Sequence, residues 1–118
     1  MTDSEAYSLI NRRRRQVYIH SCIYYRFNTS IIEDHVWDKW ARELVELQKT
    51  YPDIAKTVPF ADIFDSFDGS TGFNLPLDNN CVINKALQLL RIHKTFVKNK
   101  NPATEVTGGI KINSRILF

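Results

Sequence analysis

The chain has 118 residues, of which 43% are hydrophobic and 25% are charged. These are values of an ordinary globular domain, and they exclude a wholly disordered chain. A net charge of +3, from 16 Lys and Arg against 13 Asp and Glu, is well short of the basic excess typical of a dedicated nucleic-acid-binding domain. Two cysteines are too few for a disulfide framework, and the apolar runs are too short to span a membrane.

The charges are unevenly distributed along the chain. Arg12 to Arg15 form a basic block, the charged residues of 53–78 are mostly acidic, and those from Lys85 onward are mostly basic. We interpret the arginine block as a solvated helix face, with a nuclear import signal or a phosphate-binding patch as alternatives. The amino terminus lacks the apolar segment of a signal peptide, so we expect a cytoplasmic protein with reduced cysteines.

The first predicted element is a helix over residues 4–26. Thr2 and Glu5 have the spacing of a capping box, and no Gly or Pro interrupts the segment. Arg14 occupies a position of the apolar stripe where a leucine would be expected. The other stripe positions at helical spacing are Tyr7, Ile10, Val17, Ser21 and Tyr24.

The second predicted helix runs from about Glu33 to Thr50. Ser30 and Glu33 suggest another capping box, and Pro52 disfavours helical backbone at the residue before it. One apolar stripe runs along this helix, consisting of Trp37, Trp40, Leu44, Leu47 and Tyr51.

The rest of the chain is predicted to hold two helices and a hairpin. A short helix is expected near residues 59–65, and the sequence Asp68-Gly-Ser-Thr-Gly72 is typical of a turn. Asp78 or Asn79 is expected to cap a long helix that ends near Lys98. Segments 104–106 and 110–117, which flank Thr107-Gly-Gly109, predict a small β-hairpin.

These elements predict a mainly α fold of the α+β class in a single domain, residues 1–118. Within it we distinguish a helical pair over 4–52, an acidic connector over 53–77, and a long helix with the hairpin over 78–118.

Several motifs of the helical pair occur together at a familiar spacing. Tyr24-Tyr25 is followed by Ile32-Glu-Asp34-His-Val-Trp37-Asp38, and the second helix closes with Glu43-Leu-Val-Glu-Leu-Gln-Lys-Thr-Tyr-Pro52. This arrangement resembles the N-terminal (Ia) subdomain of bacterial NAD-dependent DNA ligases, where Tyr-His precedes Ile-x-Asp-x-x-Tyr-Asp and the helix closes on His-Pro. The chain is also similar to short ligase-related proteins of bacteriophages and prophages.

The resemblance implies a binding site for the nicotinamide mononucleotide half of NAD. Carried over residue by residue, it places the site at Tyr24, Tyr25, Asp34, Trp37 and Asp38. Tyr25 stands where the ligases have histidine, and Trp37 where they have tyrosine. NAD or nicotinamide mononucleotide is then expected as a ligand, with no cofactor required.

The residue types suit that ligand. An aromatic face such as that of Trp37 stacks on a nicotinamide ring and attracts its positive charge. Asp34 and Asp38 lie one helical turn apart, so both carboxylates can accept hydrogen bonds from ribose hydroxyls. The alternative for the same residues is structural, with Trp37 packing in the core and the carboxylates stabilising the helix amino terminus.

The sequence predicts a protein without ligase activity. Ligation needs a nucleophilic lysine in a Lys-x-Asp-Gly motif, and the comparable string here, Ser66-Phe-Asp68-Gly69, has serine in the lysine position. The chain also has no room for a nucleotidyltransferase domain. Neither a calcium loop at Asp68 nor a zinc site is expected, because the ligand spacings do not match.

The leading hypothesis is therefore a non-catalytic, phage-type binding module in the bacterial cytoplasm. A first alternative is an anti-defence or host-takeover inhibitor that binds a host protein, motivated by the small size and the polarised charge. A second is a weak, non-specific DNA-binding protein that uses Arg12, Arg13, Arg14 and Arg15, for which binding would fall steeply with salt.

Overall fold

A computed structural model of the protein describes the backbone of residues 1–99 and the side chains of residues 1–94. The described elements are five helices: α1 (Asp3–Arg26), α2 (Asp34–Thr50), α3 (Pro52–Ala55), α4 (Ala61–Phe64) and α5 (Asn80–Asn99). No strand occurs within residues 1–99, which confirms the mainly α prediction for that range. The predicted hairpin at 104–117 lies outside the described residues.

The helix starts are only partly those that the sequence predicts. The Thr2 hydroxyl accepts from the Glu5 backbone N–H and the Glu5 carboxylate accepts from that of Thr2, both at 3.1 Å, so the first capping box is confirmed. The box at the start of α2 is wrong: Glu33 is the N-cap residue, no side chain caps it, and Ser30 instead donates to the Ile32 carbonyl.

Helix α1 is the central element, packed against α2 on one side and α5 on another. It is therefore buried around much of its circumference, which a single predicted stripe does not capture. Tyr7 and Tyr24, both placed in that stripe, are exposed at 38% and 54%. The buried apolar residues of α1 are Ala6, Ile10, Val17, Tyr18, Ile19, Cys22 and Ile23.

Helix α2 packs through the predicted stripe. Ala41 and Leu44 are fully buried, and Trp37, Trp40 and Leu47 are partly buried against the core. The helix ends at Thr50, as Pro52 predicts, but Pro52 then opens the unpredicted short helix α3. Pro at the first position of a helix is favoured because its missing N–H would have had no partner there.

The arginine block does not form one solvated face. Successive residues of a helix are rotated by about 100°, so four consecutive arginines point in different directions. Arg14 is only 2% exposed and Arg13 pairs with Glu43 at 2.7 Å, while the Arg15 guanidinium lies 5.3 Å from the ring centre of Phe60. The predicted face is therefore wrong, and Arg14 has no surface to offer to DNA or to a protein.

None of the helices among the described residues is long and apolar enough to cross a membrane.

Candidate functional site

A pocket of about 270 Å³ opens between the carboxyl-terminal part of α1, the amino-terminal part of α2 and the loop over residues 70–72. It contains all five site residues that the resemblance implied. The residues that line it are His20, Ser21, Tyr24, Tyr25, Ser30, Ile32, Glu33, Asp34, Trp37, Asp38, Ser70, Thr71 and Gly72.

Two tyrosines at the end of α1 form an aromatic wall of the pocket. Their rings meet edge to face at 4.8 Å between centres, and the Tyr25 ring contacts that of Phe73 at 5.3 Å in the same manner. The hydroxyl groups of Tyr25 and Thr71 are hydrogen-bonded at 2.9 Å. Tyr24 is 54% exposed, and its hydroxyl has no partner among the described residues.

The first two turns of α2 bring two carboxylates and an indole ring to the pocket. Asp34 and Asp38, one turn apart, are exposed, and neither side chain is hydrogen-bonded within the described part of the chain. The indole N–H of Trp37 lies 3.2 Å from the Ser21 hydroxyl oxygen and 3.4 Å from the Val17 carbonyl oxygen. Trp37 therefore combines both sequence interpretations, since it lines the pocket and also ties α2 to α1.

The loop over residues 68–72 supplies the third wall. The Asp68 carboxylate accepts from the backbone N–H of Ser70 at 2.9 Å and from its hydroxyl at 2.6 Å, which confirms the predicted turn at this aspartate. These hydrogen bonds lower the pKa of Asp68 below its ordinary value. Gly72 is buried so tightly against α1 that an added Cβ would overlap the Ser21 hydroxyl and lie 2.6 Å from the Ser21 Cβ.

Sequence analysis did not connect this loop with the site. Its turn composition predicted a loop, but contacts between Gly72 and Ser21, or Thr71 and Tyr25, join residues about fifty positions apart. Nothing in the local pattern indicates where such a loop will fold. The lining residues that were not predicted as site residues are His20, Ser21, Ser30, Ile32, Glu33, Ser70, Thr71 and Gly72.

His20 lies in the pocket lining and is nearly inaccessible to solvent. Its side chain is 4% exposed, its ring lies 5.6 Å from that of Trp40, and neither ring nitrogen has a hydrogen-bond partner among residues 1–94. Burial lowers the pKa of His20 to about 4 from the ordinary 6.5, because the charged form loses its hydration. The imidazole is therefore neutral at pH 7, with one donor and one acceptor unused.

The charge of the pocket is negative. Glu33, Asp34 and Asp38 line it, and no lysine or arginine is among its described lining residues. Glu33 has a partner of its own, the imidazole of exposed His35 at 3.1 Å, whereas the two aspartates face the opening without one. The aromatic wall and the two unpaired carboxylates are suited to a ligand that has a planar, positively charged ring and hydroxyl groups.

Metal chemistry has no comparable basis in this part of the chain. Residues 1–94 contain no cluster of three or more His, Cys, Asp or Glu side chains that could hold a metal ion. Cys22 is buried near the Leu77 carbonyl, and burial raises the pKa of its thiol, which disfavours the reactive thiolate.

Comparison with protein families gives an independent view of this region. Residues 3–57 match the family model described as DNA ligase-like, N-terminal NAD+-binding domain. The match spans α1, α2 and α3 and includes all five predicted site residues, so it confirms the resemblance to the Ia subdomain over this segment. The loop over 68–72 and helix α5 lie beyond it. No curated protein and no solved structure matches the chain significantly.

Proposed function

We propose that the protein binds the nicotinamide mononucleotide part of NAD in the pocket between α1 and α2. The observation that carries this proposal is the convergence of Tyr24, Tyr25, Asp34, Trp37 and Asp38 on one pocket. They belong to two different helices within the segment that matches an NAD+-binding domain.

The free groups of the pocket have complementary roles towards such a ligand. The tyrosine rings and Trp37, which line the pocket, provide aromatic surface for a flat, cationic nicotinamide ring, an interaction of about 0.5–2 kcal/mol. The carboxylates of Asp34 and Asp38 accept from ribose hydroxyls, and hydrogen bonds to charged groups are worth about 1.5–3 kcal/mol. His20 lies at the buried side of the pocket, where both of its ring nitrogens are shielded from solvent.

The proposed role is binding without nucleotidyl transfer. In the string comparable to the ligase Lys-x-Asp-Gly motif, Ser66 stands in place of the lysine, and serine cannot form the lysine phosphoramidate on which that chemistry depends. A bacteriophage origin and a cytoplasmic location stay predictions from the sequence.

The second candidate function is the binding of a protein partner. The observation that favours it is the exposed aromatic cluster of Tyr24, Tyr25 and Phe73, the last of which is 65% exposed. Exposed aromatic clusters are enriched at protein interfaces. The DNA-binding alternative is weakened, since Arg14 is buried and Arg13 is paired with Glu43.

The ligand proposal is tested by calorimetric titration of the full chain with nicotinamide mononucleotide and with NAD. Asp38→Asn is the most informative variant, because it removes one charge from an exposed side chain that has no hydrogen-bond partner in the described part of the chain. Trp37→Ala is less suitable, since it would also break the contact with Ser21. Glu46→Gln is the matched control, an equal change of charge on exposed surface of α2 away from the pocket.

We expect saturable binding to the wild type and to Glu46→Gln, and an affinity at least about tenfold lower for Asp38→Asn, from the loss of a charged acceptor. Absence of binding to the wild type up to millimolar ligand would contradict the proposal and favour the protein-contact role. An equal loss in both variants would show a general charge effect and place the ligand outside this pocket.

A further inference from the structure

Most hydroxyl groups of the pocket, those of Ser21, Tyr25, Ser30, Ser70 and Thr71, are already hydrogen-bonded within the protein. Few side-chain donors therefore remain for an anionic ligand group: among the described lining side chains the Tyr24 hydroxyl has no partner, and the unpartnered ring nitrogens of His20 are buried away from solvent. The backbone N–H groups at the start of α2, where no side chain forms a cap, are further donors. Ser21 donates to the Val17 carbonyl, Ser30 to that of Ile32 and Ser70 to Asp68, while Thr71 bonds Tyr25 and accepts from the Phe73 backbone N–H.

The charges around the pocket also disfavour an anion. The positive end of the α2 dipole lies at this site, but Glu33 and Asp34 in the same turn oppose it. Asp38 adds a further negative charge one turn along, and the neutral His20 offsets none of them. Tyr25, at the position where the ligases have histidine, contributes a neutral hydroxyl that is bonded to Thr71.

We propose that the pocket recognises the positively charged nicotinamide riboside portion of the ligand, and that the 5′-phosphate adds nothing to the affinity. This inference rests on the proposed function and specifies its ligand class, an oxidised pyridinium nucleoside with an intact carboxamide. Three changes to the ligand are therefore informative. Removal of the phosphate leaves the affinity unchanged, whereas reduction of the ring and conversion of the carboxamide to a carboxylate each lower it.

Each effect has its own cause in the pocket. Two unpaired carboxylates and the aromatic wall attract a cationic ring, and this attraction disappears when the reduced ring becomes neutral. A carboxylate in place of the carboxamide brings a like charge towards Asp34 and Asp38, which line the pocket.

The experiment compares four ligands on the full wild-type chain by calorimetry: nicotinamide riboside, nicotinamide mononucleotide, reduced nicotinamide riboside and nicotinic acid riboside. We expect the first two to bind with affinities within about threefold of each other, and the last two at least about tenfold more weakly, as for the loss of one charge interaction. The riboside pair isolates the ring charge, because neither member carries a phosphate.

Asp38→Asn and its control Glu46→Gln then assign the charge preference to the pocket. Asp38→Asn should reduce the oxidised-over-reduced preference by about threefold or more, whereas Glu46→Gln should leave it unchanged. An unchanged preference in Asp38→Asn would overturn the inference.

The outcomes separate this inference from the proposed function. Mononucleotide binding that is more than tenfold tighter than riboside binding would overturn the inference and leave the proposed function intact. Equal binding of the oxidised and reduced ribosides would do the same. Absence of binding by the mononucleotide and by NAD as well as by the riboside would overturn both.

Discussion

Arg14 is the residue whose environment departs furthest from its usual one. It is 2% exposed and forms no ion pair with the described residues, and its guanidinium donates to the Gln48 side-chain oxygen at 2.9 Å and to three backbone carbonyls. Those carbonyls belong to Ala55, Val58 and Pro59, at 2.9–3.2 Å. A buried charge is tolerated here because almost all of its N–H groups are paired, although the lost hydration lowers the pKa of Arg14.

Replacement of Arg14 by methionine should therefore destabilise the protein although it removes a buried charge. Four acceptors lose their donor, and two of them, the carbonyls of Ala55 and Val58, are in buried contacts, which we expect to lower the free energy of unfolding by about 3 kcal/mol. Urea denaturation monitored by circular dichroism measures this. Arg42→Met, an exposed arginine of α2, is the control and should change stability by less than about 0.5 kcal/mol. Equal stabilities of the two variants would contradict the assigned role.

The helical periodicity of α1 predicted that Arg14 lies on the buried face, but it did not predict the hydrogen-bond partners that hold it there. The residue fills a gap in the apolar stripe of α1, and that position is buried as the spacing indicates. Its partners lie 34–45 residues further along the chain, in segments whose placement the local pattern does not contain. The same reason explains the site: the resemblance named Tyr24 and Asp38, whereas the loop that closes the pocket over them could not be predicted.

At the scale of elements, the contact between Gly72 and Ser21 fixes the third wall of the pocket. Any side chain at residue 72 would push against the Ser21 side chain, which accepts from the Trp37 indole N–H. Gly72→Ala should therefore lower the free energy of unfolding by about 2 kcal/mol, the usual cost of overpacking. It should also weaken binding of nicotinamide mononucleotide, because the loop must move away from α1.

A double-mutant cycle separates this steric effect from others. Ser21→Gly removes the two atoms with which the new Cβ would overlap, at the cost of a glycine inside a helix and of the hydrogen bond to Trp37. We expect the double variant to be more stable, by at least about 1 kcal/mol, than the sum of the two single changes indicates. Additive effects would mean that Gly72 is needed for a reason other than its contact with Ser21.

The helices could be predicted where the sequence signals that define them are local. The capping box at Thr2, the aromatic stripe of α2 and the cap at Asn79, whose side chain accepts from the Val82 N–H at 3.2 Å, are all confirmed. The box at Ser30 failed because the chain is still extended at Glu33, so α2 begins three residues later than a Ser30 cap would place it. The sequence pattern alone does not distinguish the capping box that forms at Thr2 from the one that does not form at Ser30.

At the scale of the whole molecule, the pocket depends on α1 as a common support. Helices α2 and α5 both pack on α1, and Tyr18 of α1 donates to the Pro76 carbonyl at 2.6 Å, at the end of the segment that joins the loop to α5. A site assembled from separate parts of the chain exists only when the whole domain is folded. Conditions that destabilise the fold therefore remove the site as well.

Low pH is a condition that destabilises the fold, and His20 determines the pH at which the free energy of unfolding begins to fall. The folded protein holds the pKa of His20 at about 4, whereas the unfolded chain has the ordinary 6.5. Between these values the unfolded state binds a proton that the folded state does not, so the free energy of unfolding falls as the pH falls below 6.5 and levels off below 4. From pH 7 to pH 5 the expected loss is about 2 kcal/mol.

The pH range over which stability is lost distinguishes the effect of His20 from that of the carboxyl groups. Hydrogen bonds lower the pKa of Glu5 and of Asp68 below 4.5 and 3.8, so the stability that these groups contribute is lost only at more acidic pH. His20→Phe, which retains an aromatic ring beside Trp40, should remove most of the slope between pH 7 and pH 5 in urea denaturation without ligand. His35→Phe, a change at an exposed histidine, should retain it. A slope that persists in His20→Phe would show that another group takes up the proton on unfolding.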